Sequence, residues 1–173
     1  MKWILGLAAA MWIGAACAWA QMDATATAAG AAPIRIADTE ATLIGQTING
    51  YMQGPTHRGR LEIFDRKKGA NVVLRLDRIV SDDPACVVFP EEGKVAVCGE
   101  CTQMETVVDD KGMKSEKEAG DKYEVWFVVQ RGGMASSRVL DTYIKSVNGN
   151  PMYKWTQDEA GKWSATLVPD APQ

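Results

Sequence analysis

DTEATLIGQTINGYMQ, residues Asp38 to Gln53, is the stretch that decides the fold. Leu43, Ile44, Thr47, Ile48, Tyr51 and Met52 recur at helical spacing and fall on one face. Asp38 or Thr39 stands where a side chain can cap free backbone amides, and Gly54-Pro55 ends the pattern. Gly45 and Gly50 each weaken a helix by about 1 kcal/mol against alanine, so this one must hold by burying its apolar face. Small residues there also permit close approach to a sheet.

Everything after Gly59 reads as antiparallel strand. Arg60 to Arg66 leads into a turn at Lys67-Lys68-Gly69. Val72, Leu74 and Leu76 then alternate with Val73, Arg75 and Asp77, the mark of a half-buried strand. Val87-Val88-Phe89 and Val95 to Val97 flank Glu91-Glu92-Gly93, a hairpin loop in which Gly93 can take positive φ. Tyr123 to Gln130 is the most apolar strand; in it Trp126 shares a face with Glu124 and Val128 and is expected on the outer side. Arg131-Gly132-Gly133 turns the chain. Val139 to Val147 and Met152 to Thr156 surround Asn148-Gly149, a type I′ turn signal. Lys162 to Val168 pairs back across Glu159-Ala160-Gly161. Between Val108 and Asp121 charge crowds out apolar residues, which reads as a mobile hairpin tip or a partner-binding loop.

One early helix before so many strands cannot form a bundle. The expectation is an α+β fold, the helix packed on a curled antiparallel sheet of about six or seven strands. A small lipocalin-like β-barrel is the alternative. The element order over residues 38 to 168, with the pair Val139 to Gly149 and Tyr153-Lys154-Trp155, resembles small exported bacterial cystatin-like and nuclear-transport-factor-like domains of unassigned function. That resemblance implies a curved sheet wrapped around the helix.

The chain opens with an export signal. Lys2 supplies a positive start, Trp3 to Ala16 is uncharged and mostly apolar, and Ala18-Trp19-Ala20 offers small residues for cleavage. The apolar run is short for a bilayer span, and no stop-transfer segment follows it. Cleavage leaves 153 of the 173 residues, from Gln21, in the periplasm or outside the cell. Gly14-Ala15-Ala16-Cys17 loosely resembles a lipobox, so a lipid anchor at Cys17 is the other processing route. Residues 21–36 read as flexible linker, 37–169 as one domain and 170–173 as a tail. The formal net charge is −3, or −4 without Lys2, which argues against nucleic acid as a partner.

Chemistry is concentrated in Cys86, Cys98 and Cys101. With Glu91-Glu92-Gly93 as the loop, Cys86 faces Cys98, and directly opposed residues can reach the roughly 4.4–6.8 Å Cα spacing of a disulfide. So short a closed loop would gain about 2–3 kcal/mol. A Cys98–Cys101 disulfide in a tight turn is the alternative. Cys98-Gly99-Glu100-Cys101 also has redox-dithiol spacing, but no helix follows to lower a thiol pKa, and Glu100 opposes a thiolate. Three thiols with His57 would make a Cys₃His site suited to zinc or copper; the single ligand knuckle and the polar turn around His57 argue for no metal. No nucleophile elbow, phosphate loop or dinucleotide fingerprint occurs, and no cofactor is implied. Trp126, Tyr143, Tyr153, Trp155 and Trp163 are candidates for a binding face if exposed together, and otherwise core. The expectation is a non-catalytic binding or accessory protein for an unidentified protein or small-molecule ligand. The alternative is thiol-dependent redox or metal handling at Cys98 and Cys101 with Cys86.

Overall fold

A computed structural model describes residues 36–132 and 136–169. The expected export signal, Cys17, the expected linker up to residue 35, Gly133 and the expected tail 170–173 lie outside the described residues.

Helix α1 spans Asp38–Gln53, the limits expected from its apolar spacing. Ile44, Ile48 and Met52 are buried, and Leu43, Thr47 and Tyr51 flank them. Its cap differs from expectation: Ala37 occupies the N-cap position without a side-chain bond, and Asp38 and Thr39 lie inside the first turn. Gly45 and Gly50 face open space, so neither serves a close approach to the sheet. Ile36, assigned to the linker by composition, is buried against the core.

The strands are β1 (Leu61–Asp65), β2 (Ala70–Val80), β3 (Val87–Val88), β4 (Lys94–Val108), β5 (Lys114–Gln130), β6 (Arg138–Val147), β7 (Asn150–Pro151), β8 (Tyr153–Gln157) and β9 (Trp163–Leu167). The first seven form one antiparallel sheet in the order β1-β2-β4-β5-β6-β7, with β3 also on β4. This confirms an α+β architecture and overturns the barrel alternative, since β1 and β7 are separate edges. Strands β8 and β9 do not continue the sheet from β7 as expected; they form a two-stranded unit of their own. Asn148 and Gly149 both have positive φ, as the type I′ reading requires.

On the inner face, α1 covers a core that includes Leu61, Leu74, Val97, Cys101, Tyr123, Val125, Phe127 and Ile144. The outer face carries a smaller cluster of Val80, Cys86, Ala96, Cys98, Trp126 and Val128, with Val88, Tyr143 and Trp155 against it. Trp126 therefore lies on the outer side as expected, but buried.

The segment from Val108 to Asp121 corrects another expectation. Strands β4 and β5 continue through most of it, leaving a turn only at residues 109–113. Charge takes over from apolar burial there: Glu105 pairs with Lys117 at 3.1 Å, Arg60 with Glu116 at 2.5 Å and Arg75 with Glu118 at 2.7 Å. No helix among the described residues is long and apolar enough to cross a membrane.

Candidate functional site

The arrangement of the cysteines follows from how the lane beside β4 is filled. Strand β2 occupies it as far as Val80, which pairs with Cys98. The chain then leaves over residues 81–86 and returns as β3, with Val87 opposite Val97 and Val88 opposite Ala96. That register is the one expected from the Glu91-Glu92-Gly93 loop. The position across from Cys98 is already held by Val80, however. Cys86 instead closes a one-turn 3-10 helix, Pro84–Cys86, whose start is capped by Asp83 accepting from the Ala85 amide at 2.8 Å. This delivers its sulfur to the outer face, where Cys98 also points.

Cys86, Cys98 and Cys101 are free thiols. The expected Cys86–Cys98 disulfide is not formed in this structure; the two thiols lie in one buried cluster on the outer face. Cys98 and Cys101, by contrast, are three residues apart in one continuous strand and project to opposite faces, since an extended chain alternates sides. The tight turn that a Cys98–Cys101 pair needs does not exist. The Cys₃His grouping is dispersed too: Cys101 lies in the inner core, and His57 packs on Tyr51 at a ring separation of 4.2 Å. Among the described residues no group of three or more His, Cys, Asp or Glu is placed to hold a metal ion.

Lys145 is the residue the sequence did not reveal. Strand β6 pairs Ser146 with Glu124 and Ile144 with Val125, so Lys145 is an extra residue, a β-bulge. The bulge leaves Lys145 and Ser146 both on the outer side, between the inward Ile144 and Val147. The ammonium Nζ lies 3.2 Å from Cys86 Sγ, 3.5 Å from the Glu124 carboxylate and 5.4 Å from the centre of the Trp126 ring. Ser146 Oγ donates to Glu124 at 2.6 Å, holding that carboxylate in place. The bulged backbone is itself tied down, because the Met152 amide donates to the Lys145 carbonyl at 2.7 Å.

These neighbours make the two thiols unequal. The hydrogen bond from Cys98 lowers the Cys86 pKa, burial opposes it, and Lys145 lowers it further, leaving Cys86 at about 7. The same hydrogen bond and burial push Cys98 far up. Burial works against the Lys145 ammonium, but the two thiols and Glu124 raise its pKa. Cys101 has no such partner, and burial in the apolar core, with Asp77 and Glu100 adding, pushes it up to about 12. The site is thus one ionisable thiol, one protonated thiol and one cation; both sulfurs are covered, at 1% and 0% exposure for Cys86 and Cys98.

Four of the five candidate aromatics gather beside it. Trp155 stands edge-on to Trp126 at 6.4 Å and to Tyr143 at 6.1 Å, and Tyr143 tilts against Tyr153 at 5.8 Å. Trp163 lies on β9, paired with Gln157, and joins none of these contacts. The group packs on itself as a second small core instead of spreading over an open face. The Trp126 and Trp155 indole N–H groups are buried there with no acceptor among the described residues.

The fold class is thus a helix and a two-stranded unit associated with an open antiparallel sheet, with a lysine-flanked thiol pair on its outer face. Compared with known proteins, the chain matches no family model, no curated protein and no solved structure.

Proposed function

We propose that this is an exported accessory protein whose chemistry is a thiol–disulfide couple formed by Cys86 and Cys98. One observation carries the reading: Lys145 Nζ sits 3.2 Å from Cys86 Sγ, in the same outer-face cluster as Cys98. A purely structural cross-link has no use for a cation held on one of its thiols by a strand bulge. A nucleophile does, because the thiolate is the reactive form. Cys86 is the attacking sulfur, and Cys98, protonated and in contact, resolves. The Cys86 thiolate attacks a small disulfide RSSR and releases RS⁻; Cys98 then attacks the mixed disulfide, the Cys86–Cys98 bond closes, and the second RS⁻ leaves with the Cys98 proton. The export signal expected at residues 1–20 supports the setting, since a compartment outside the cytoplasm favours disulfide formation. The aromatics Trp126, Tyr143 and Trp155 wall the site.

The test is differential alkylation of the purified, folded protein after equilibration in buffers of graded thiol–disulfide poise, read by intact and peptide mass. The expected result is a reversible Cys86–Cys98 link with Cys101 reduced throughout. A link that includes Cys101 overturns the proposal. So does one that excess small dithiol cannot open without denaturant, which would identify a fixed cross-link.

A further inference from the structure

We infer that the groove between α1 and the open edge of β6 binds an extended peptide, which adds to the sheet as a strand and carries a basic side chain at one end. From Arg138 to Thr142, β6 pairs with β5 on one side and with no strand among the described residues on the other. Strand β7 takes up only Ser146 and Val147, and β8 meets β6 through Tyr153 and Trp155 against Tyr143. Such an edge offers backbone amides and carbonyls that a further strand can satisfy. Leu140, the extra residue at a bulge in this stretch, holds an apolar side chain 39% exposed there.

The helix supplies the other wall. Leu43, Thr47, Gly50 and Tyr51 of α1 stand across a cleft from Arg138 and Val139. Toward the start of the helix the cleft widens to about 1060 Å³ over Ala37, Leu43, Ile44 and Val129. Tyr51 also senses the open edge: burial, then the Asp141 charge, raise its pKa. From Asp38 to Tyr51 the helix runs about 20 Å, the reach of about six extended residues. Charge sets the chemistry of the occupant. The wide end holds Asp38, Glu40, Glu92 and Arg131, and Glu40 already pairs with Arg131 at 3.1 Å. Asp38 and Glu92 have no cation partner among the described residues, so a lysine or arginine of the peptide neutralises that end. This binding is separate from the thiol couple and does not depend on it.

The experiment passes pooled octapeptides, acetylated and amidated, over the immobilised folded protein. Alternate positions are drawn from alanine, valine and leucine, the rest from serine, threonine, lysine and glutamate, and retained peptides are sequenced by mass. Lysine should be enriched over glutamate. The best retained peptide should slow hydrogen exchange of the outward amides between Arg138 and Thr142 and leave β1, the other open edge, unchanged. A side chain at Gly50 meets nothing within 4 Å on its own chain, so Gly50→Trp should fold, fill the cleft and weaken binding at least about tenfold. Glu92→Lys should weaken it about three- to fivefold, the scale of one exposed ion pair. The inference is overturned if Gly50→Trp retains the same peptides as wild type, if glutamate is enriched, or if β1 is protected equally. It also falls if the β6 amides are slow before any peptide is added. Slow exchange that persists on dilution would then show that the chain covers its own edge, and exchange that quickens would show a second copy there. The wild-type comparison of β6 with β1 needs no variant to fold.

Discussion

Ionisation of Cys86 can be followed by itself, because the structure separates the three thiols so widely. Cys86 titrates at about 7, Cys101 at about 12, and Cys98 higher still. Thiolate absorbance in the far ultraviolet, recorded on reduced protein through the neutral range, should therefore show a single step worth one thiol. Its displacement from the ordinary value of 9.0 is owed first to the Cys98 hydrogen bond, then to contact with Lys145, against burial and the Glu124 charge. Replacing Lys145 by Met removes the second contribution and leaves the first. The midpoint should then rise by up to about one unit, to about 8, and the thiolate fraction at pH 7 should fall from roughly half to roughly a tenth. Stability carries the same signature. With its pKa depressed in the folded state, Cys86 favours folding fully above pH 9.0, and this contribution is lost as pH falls through about 7. Cys98 and Cys101, whose pKa values are raised, act in the opposite sense above their ordinary value. Reduced protein should accordingly gain stability between these two limits in urea titrations. A Cys86 step at its ordinary position, or one unmoved in Lys145→Met, refutes the reasoning.

Tyr123 and Asp65 are both 1% exposed, and the phenol donates to the Asp65 carboxylate at 2.9 Å. Tyr123→Phe should cost about 1.5–3 kcal/mol in urea unfolding, the range for a hydrogen bond to a charged group. Less than about 0.5 kcal/mol would mean that water replaces the bond. A methyl group at Gly99 would meet Leu76 and Phe127 side-chain carbons at 2.7 Å, so Gly99→Ala should destabilise by about 1–3 kcal/mol; an unchanged midpoint would show that both side chains move aside freely. Gly45→Ala and Gly50→Ala meet nothing within 4 Å and should each stabilise by about 0.5–1 kcal/mol, and a loss at either would reveal a contact unseen here.

Helix α1 was legible in extent, though not in its cap, because five apolar positions and Thr47 repeat at one period and Gly54-Pro55 stops it. The β3–β4 register was legible because its loop is short and contains a glycine. Strand β4 was read too short, since Gly99, Glu100 and Thr102 interrupt any simple apolar alternation; what continues the strand is pairing on both sides, to β2 and β5. The charged ribbon beyond Met104 failed for a related reason: its ion pairs join residues distant in sequence, and local composition shows only the charge. Register counting placed Cys86 opposite Cys98, but Val80 holds that paired position and the two cysteines share only the outer-face cluster. Lys145 was missed because it sits at a break in alternation. Ile144 and Val147 both point inward three residues apart, and that irregular spacing was the available signal.

That break has a consequence for how the chain tolerates change. Strand β6 reads like a message in a two-letter frame, inward and outward, and Lys145 is an inserted letter. Deleting it would leave the residues before and after in uninterrupted alternation, with Tyr143 and Ser146 two places apart on the outer face and every other residue still opposite its partner on β5. The parts of β6 on either side of the bulge are thus already in phase with β5, and the extra residue adds a side chain without shifting either. Loss of one residue at Lys145 should therefore be borne by the sheet, as it is at the Asp109 to Met113 turn, and be felt at Cys86, which loses its cation.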